Sequence, residues 1–178
     1  MKPGTAMDPP SAFTGITNNL VQLSPPKSNP NRITWVDVPD TNVYVIAFKS
    51  LDGKPLAVLS NYSVHYAAGP HFEDSLSADY YGVFAKRLGE KLGAPEAFVA
   101  MMTNGTSGDG SCTNYLDPNQ PPADLDIVGE HVAEDVLELY NRLAFKEWVP
   151  LRVSEQDLTL GLRRATADEA RQAEDYLA

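Results

Sequence analysis

The chain has 178 residues, 43% of them hydrophobic and 21% charged, which is enough for one ordinary globular domain and unlike a disordered composition. A formal net charge of −10 and a pI near 4.6 exclude general binding to a phosphate backbone, which needs clustered Lys and Arg to displace counterions, so nucleic acid is not expected as a partner. The single cysteine, Cys112, excludes an internal disulfide and any zinc site built from thiolates alone.

No apolar run reaches the length of a transmembrane span, and the opening MKPGTAMDPP lacks the basic and apolar regions of a secretory signal. Residues 1–41 are rich in proline and carry no sustained periodicity, so they are expected to form an irregular segment, with the α/β part over 42–178. Asn42 to Ser50 and Pro55 to Val64 are rich in β-branched and aromatic residues and flank Asp52-Gly53, which predicts a β-hairpin closed by a tight primed turn.

Ser77 is the expected cap of a helix with Asp79 in its first turn and an apolar stripe of Tyr81, Phe84, Leu88 and Leu92; Gly93 and Pro95 end it. Ala97 to Met102 is a continuous apolar run, the pattern of a strand buried on both faces. It leads into a glycine loop from Asn104 to Asn114. Asp124 then caps a long helix with a predicted core face of Leu125, Val128, Val132, Val136, Leu139 and Leu143. A strand is expected near Asp157 to Leu162, and Thr166 with Glu169 forms a capping box for a helix that still runs at Leu177. This alternation predicts an α/β architecture, a layered sheet with flanking helices. Both ends read as cuts in a longer domain.

The glycine loop is the most informative segment for function. Gly105, Gly108 and Gly110 let a backbone bend and approach a ligand at the end of a strand, but an ordinary structural turn has the same composition. A phosphate-binding P-loop would need Lys where Ser111 stands, and a nucleophile elbow would need Gly two places after its serine; neither pattern is present. Of the three histidines, His65 closes the second hairpin strand, with Glu73, Asp74 and Asp79 shortly after it. His71 lies in a Gly-Pro loop and His131 near the edge of a helix stripe. One histidine does not make a catalytic zinc site, which takes three protein ligands and a water.

The segments Asn61-Tyr62-Ser63-Val64-His65, Ser77-Ala78-Asp79-Tyr80-Tyr81-Gly82, and Thr103-Asn104 followed by Gly108-Asp109-Gly110-Ser111 and Asn114 occur in an order that resembles the N-terminal domain of the neutral/alkaline ceramidases. The similarity spans roughly Val43 to Asn114. It implies that the chain is a fragment of a larger ceramidase-like domain and that the full protein is a zinc amidohydrolase, one that cleaves the N-acyl amide of a ceramide-like lipid to a sphingoid base and a fatty acid. By position, His65 matches a metal ligand, and Ser111 with Asp109 matches the catalytic loop. Asn104, Gly108 and Gly110 match its substrate-binding part, and Asp79 with Gly82 a helix-start pair. The remaining zinc ligands are expected outside this chain, so the fragment alone is expected to be inactive, and the resemblance points to a secreted or periplasmic protein. Thr106-Ser107 lengthens the loop, and Cys112 and Thr113 stand where the family has Pro and Asn. Two alternatives remain: a non-catalytic domain that binds lipid or sugar in the same cleft, and a serine hydrolase that uses Ser111.

Overall fold

The computed structural model describes residues 29–30, 32–35, 38–69, 76–162 and 164–177. The chain divides into two units, one comprising Asp37–Asn114 and Asn119–Val149, the other Met1–Val36, Tyr115–Pro118 and Pro150–Ala178. The α/β architecture expected from the sequence is present in the first unit, as a three-stranded mixed sheet with helices on one face. Residues 1–28, together with His71, Glu73 and Asp74, lie outside the described residues.

Strand β1 (Val43–Lys49) pairs antiparallel with β2 (Pro55–Tyr62), from Val43 opposite Tyr62 to Lys49 opposite Pro55. The connection differs from the primed turn expected of Asp-Gly. Gly53 alone in the turn has a positive φ, +85°, while its N–H donates to the Ser50 carbonyl at 2.9 Å and Ser50 N–H donates to Lys54 O at 2.9 Å. An ordinary turn followed by one left-handed glycine makes a longer loop, and the ladder slips between Phe48 and Lys49. The Ser50 hydroxyl favours this form by bonding Asp52 and accepting Lys54 N–H.

Strand β3 (Val99–Asn104) runs parallel to β2, with Ala57 opposite Val99 and Tyr62 opposite Asn104. Its sequence predicts burial on both faces, but side chains alternate across a strand and only one face is covered. Val45, Val58, Ala100 and Met102 pack toward the core. On the opposite face Tyr44, Ile46, Phe48, Val99 and Met101 are exposed.

Between β2 and β3 comes helix α1 (Asp79–Lys91), which buries Tyr80, Phe84 and Leu88. The predicted stripe faces the core, with Phe84 and Leu88 buried and Tyr81 and Leu92 partly buried against it, and Tyr80 is buried beside it. Ser77 Oγ accepts the Asp79 N–H at 2.9 Å, one residue outside the cap position Ala78. At the other end Gly93 takes φ +56° and donates to Glu90 O at 3.1 Å, while Ala94 N–H reaches Gly89 O at 3.0 Å, a Schellman closure of the last turn.

Helix α2 (Leu125–Arg142) begins as the sequence predicts, with the Asp124 carboxylate accepting Asp126 N–H at 2.8 Å and Ile127 N–H at 3.1 Å. It buries Gly129, Val132, Ala133, Val136 and Tyr140, whereas Leu143 lies past the helix and is exposed. A Cβ at Gly129 would stand 2.6 Å from Val83 Cβ, so the glycine is what lets α1 and α2 approach here. The outer side of this contact carries an ion pair of Lys91 with Glu130, 2.5 Å.

In the second unit, helix α3 (Ala167–Leu177) starts with the expected capping box: Thr166 N–H donates to Glu169 Oε2 at 2.8 Å and Glu169 N–H donates to Thr166 Oγ1 at 3.2 Å. The strand expected at Asp157 to Leu162 is not formed. Leu158, Leu160 and Leu162 alternate as a strand would, yet no described segment hydrogen-bonds alongside them, and all three are exposed.

Candidate functional site

Parallel pairing brings the C-terminal ends of β2 and β3 side by side, and the two segments that follow are tied together by backbone groups. Gly105 N–H donates to Tyr62 O at 2.9 Å, Thr106 N–H donates to Ser63 Oγ at 3.2 Å, and His65 N–H donates to Gly110 O at 3.0 Å. The loop therefore wraps the buried Ser63. It does so at a range only glycine allows: a Cβ at Gly110 would lie 2.0 Å from Ser63 O, and one at Gly105 would lie 2.3 Å from Ser63 Oγ.

The start of α1 supplies the third wall. Asp79 has φ +49°, and its carboxylate accepts Ala68 N–H at 3.1 Å, Gly69 N–H at 3.2 Å and Tyr80 N–H at 2.8 Å. That carboxylate anchors the segment after His65 to the helix. Tyr80 Oη donates to Val64 O at 2.7 Å, and burial pushes its phenol far above the usual tyrosine range, so it is a permanent donor.

Above this base lies a chain of side-chain contacts. Tyr81 Oη donates to Asn104 Oδ1 at 3.2 Å, Asn104 Nδ2 donates to Ser107 Oγ at 2.7 Å, and Ser107 Oγ stands 3.5 Å from His65 Nδ1. The Asn104 amide thus turns its oxygen toward Tyr81 and its N–H groups toward Ser107. The imidazole is exposed and lies against the Tyr66 ring, with centroids 4.9 Å apart and planes inclined by 31°; Tyr66 in turn meets Tyr81 edge-on at 6.0 Å.

The structure thus brings His65 and Asn104 into one cluster and places Gly110 in its frame, through its carbonyl. Gly108 and Asp109 form the exposed tip of the loop, and the Asp109 carboxylate has no partner among the described residues. Ser111 is exposed, and its Oγ accepts Thr113 N–H at 3.1 Å, a local turn contact. Ser107 and Tyr81 are the residues that sequence reasoning missed. A tyrosine doublet at a helix start and a hydroxyl three residues after Asn104 were the available signals.

Comparison with protein-family models, with curated proteins and with solved structures gave no match. The chemistry of the cluster must therefore be read from its own groups.

Among the described residues no group of three or more His, Cys, Asp or Glu side chains is placed to hold a metal ion. Asp79 is committed to three backbone N–H groups. The Cys112 thiol, 3.9 Å from His65 O, is pushed up to about 11 by burial and then by the charge of Asp79, so it is a protonated thiol at neutral pH. His65 suits the role of a single nitrogen ligand: its ring is exposed, its Nδ1 faces a hydroxyl, and its Nε2 has no partner among the described residues. Any further ligands would have to come from outside the described residues. No helix among these residues is long and apolar enough to cross a membrane.

Proposed function

We propose that this chain forms one wall of a hydrolytic site that cleaves an N-acyl amide bond, with a ceramide-like lipid as the substrate class and zinc held in part by His65. The observation that supports this reading most directly is the joining of His65 to the loop after β3, since a histidine in the segment after one strand and a glycine loop after the next are the two parts that the ceramidase resemblance expects to meet. Zinc, when bound, would polarise the amide carbonyl and lower the pKa of a water.

The chain's own residues then have distinct tasks. His65 supplies a nitrogen ligand and Ser107 holds its ring. The main-chain N–H groups of Gly108, Asp109 and Ser111 have no internal partners among the described residues, unlike those of Gly105, Thr106, Ser107 and Gly110, so the loop tip is where an amide oxygen can be hydrogen-bonded. Ser111 is assigned as a further donor rather than a nucleophile. Its Oγ has no imidazole within hydrogen-bond distance among the described residues, and a serine nucleophile needs a base.

A second reading, binding of a lipid or sugar without chemistry, is favoured by Tyr66, which is 54% exposed and presents an aromatic face beside polar groups. Incubating the full-length protein with an N-acyl sphingosine, with and without a zinc chelator, separates the two. Chelator-sensitive release of fatty acid supports the hydrolase, while saturable binding with no release supports the binding module.

A further inference from the structure

Strand β1 is an edge of the sheet, and among the described residues no main-chain group of Val43–Lys49 bonds any segment other than β2. An open edge is a template for a further strand. Its outer face carries Tyr44, Ile46 and Phe48, each more than half exposed. The chain also holds a segment with the matching pattern. Leu158, Leu160 and Leu162 alternate with Asp157, Thr159 and Gly161, all three leucines are exposed, and among the described residues the segment forms no main-chain hydrogen bond. In an antiparallel pairing with Leu160 opposite Ile46, Leu158 falls opposite Phe48 and Leu162 opposite Tyr44, so the leucines extend the apolar face of the sheet. Thr159 and Gly161 then fall opposite Ala47 and Val45. The same register sets Asp157 opposite Lys49, whose ammonium lies over the Tyr140 and Phe145 rings and has no carboxylate partner among the described residues. A parallel alignment of the same leucines moves Asp157 to Val43 and loses the charge pair.

We propose that two copies of this chain exchange the segment, Asp157–Leu162 of each adding antiparallel to β1 of the other. A single chain leaves both complementary elements open, and a reciprocal exchange closes both at once under a twofold axis, with neither left to propagate a fibre. Main-chain hydrogen bonds supply the ladder, and alternate side chains supply its specificity: leucines beside Phe48, Ile46 and Tyr44, and the Asp157 carboxylate beside the Lys49 ammonium. The inference is independent of zinc and of His65, because neither element contains a residue assigned to the hydrolytic site.

The test is the mass of the full-length protein by light scattering over a dilution series, with circular dichroism to verify the fold. The parent is expected at twice the chain mass, and Ile46→Lys and Leu160→Glu each at a single chain mass with an unchanged spectrum, because both side chains are exposed. Leu160→Glu lies in the second unit, so its mass reads the interface with the sheet untouched. An equimolar mixture of the two variants should return to twice the chain mass, since one ladder is then native and the other sets opposite charges across from each other. A parent that is monomeric at every concentration overturns the proposal. So does a dimer that survives both substitutions, or a mixture of the two variants that stays monomeric.

Discussion

The main-chain N–H of His65 donates to the carbonyl oxygen of Gly110 at 3.0 Å, so the candidate ligand and the glycine loop are held together by backbone rather than by flexible side chains. Gly110 can sit there only without a Cβ, which would stand 2.0 Å from Ser63 O. Gly110→Ala is therefore expected to destabilise the chain by about 1–3 kcal/mol, the scale of an overpacked core, and to displace the loop from His65. Gly108→Ala has open space around its Cβ and should change stability by no more than about 0.5 kcal/mol. Urea unfolding of the two variants checks the contrast.

Asp79 is expected to behave as a structural anchor. Asp79→Ala removes the acceptor of three N–H groups and leaves a left-handed backbone that alanine disfavours, a loss of about 1.5–3 kcal/mol. Asp79→Asn tolerates that backbone and keeps one acceptor oxygen, so its loss should be smaller. Zinc affinity measured on folded Asp79→Asn should match the parent; a large drop would place Asp79 among the ligands.

For Cys112 the sign of the pH effect follows from its environment. Burial, then the negative charge of Asp79, favours the neutral thiol and raises its pKa from 9.0 to about 11. A group raised on folding contributes stability that is fully present below its unfolded pKa and is lost as pH climbs through the folded one, here between 9 and 11. At pH 8 iodoacetamide should alkylate the folded chain roughly a hundredfold more slowly than the urea-unfolded chain, since two pKa units separate their thiolate fractions. Equal rates would show that the thiol is not buried.

These contacts also show which parts of the molecule are legible in sequence. The Asp124 cap and the Thr166–Glu169 box were readable because each involves residues within three positions of one another. The strand before His65 is legible from β-propensity and the Asp-Gly break, but β2 ends at Tyr62, so His65 lies in the segment after it and does not close the strand as expected. Ser107 was not legible, because its contact with His65 spans 42 positions and exists only once β2 and β3 pair in register from Ala57–Val99 to Tyr62–Asn104. The stripe of Phe84, Leu88 and Leu92 is legible in the sequence, whereas the burial of Tyr80 beside it is not. Tyr80 turns inward to give its hydroxyl to Val64 O, a bond that hydrophobic periodicity does not encode. At Leu158, Leu160 and Leu162 the failure ran the other way: the alternation is present, but a strand needs a neighbour to bond with.

The proposed role of His65 as a zinc ligand is tested most directly by one comparison: zinc content and N-acyl amide hydrolysis of the full-length protein against His65→Ala, with circular dichroism to verify the fold. The ring is exposed, so its removal should leave the core of Val58, Phe84, Leu88 and Val136 intact. The predicted result is stoichiometric zinc and activity in the parent, with both lost and the spectrum unchanged in the variant. Full zinc and full activity in His65→Ala would contradict the account.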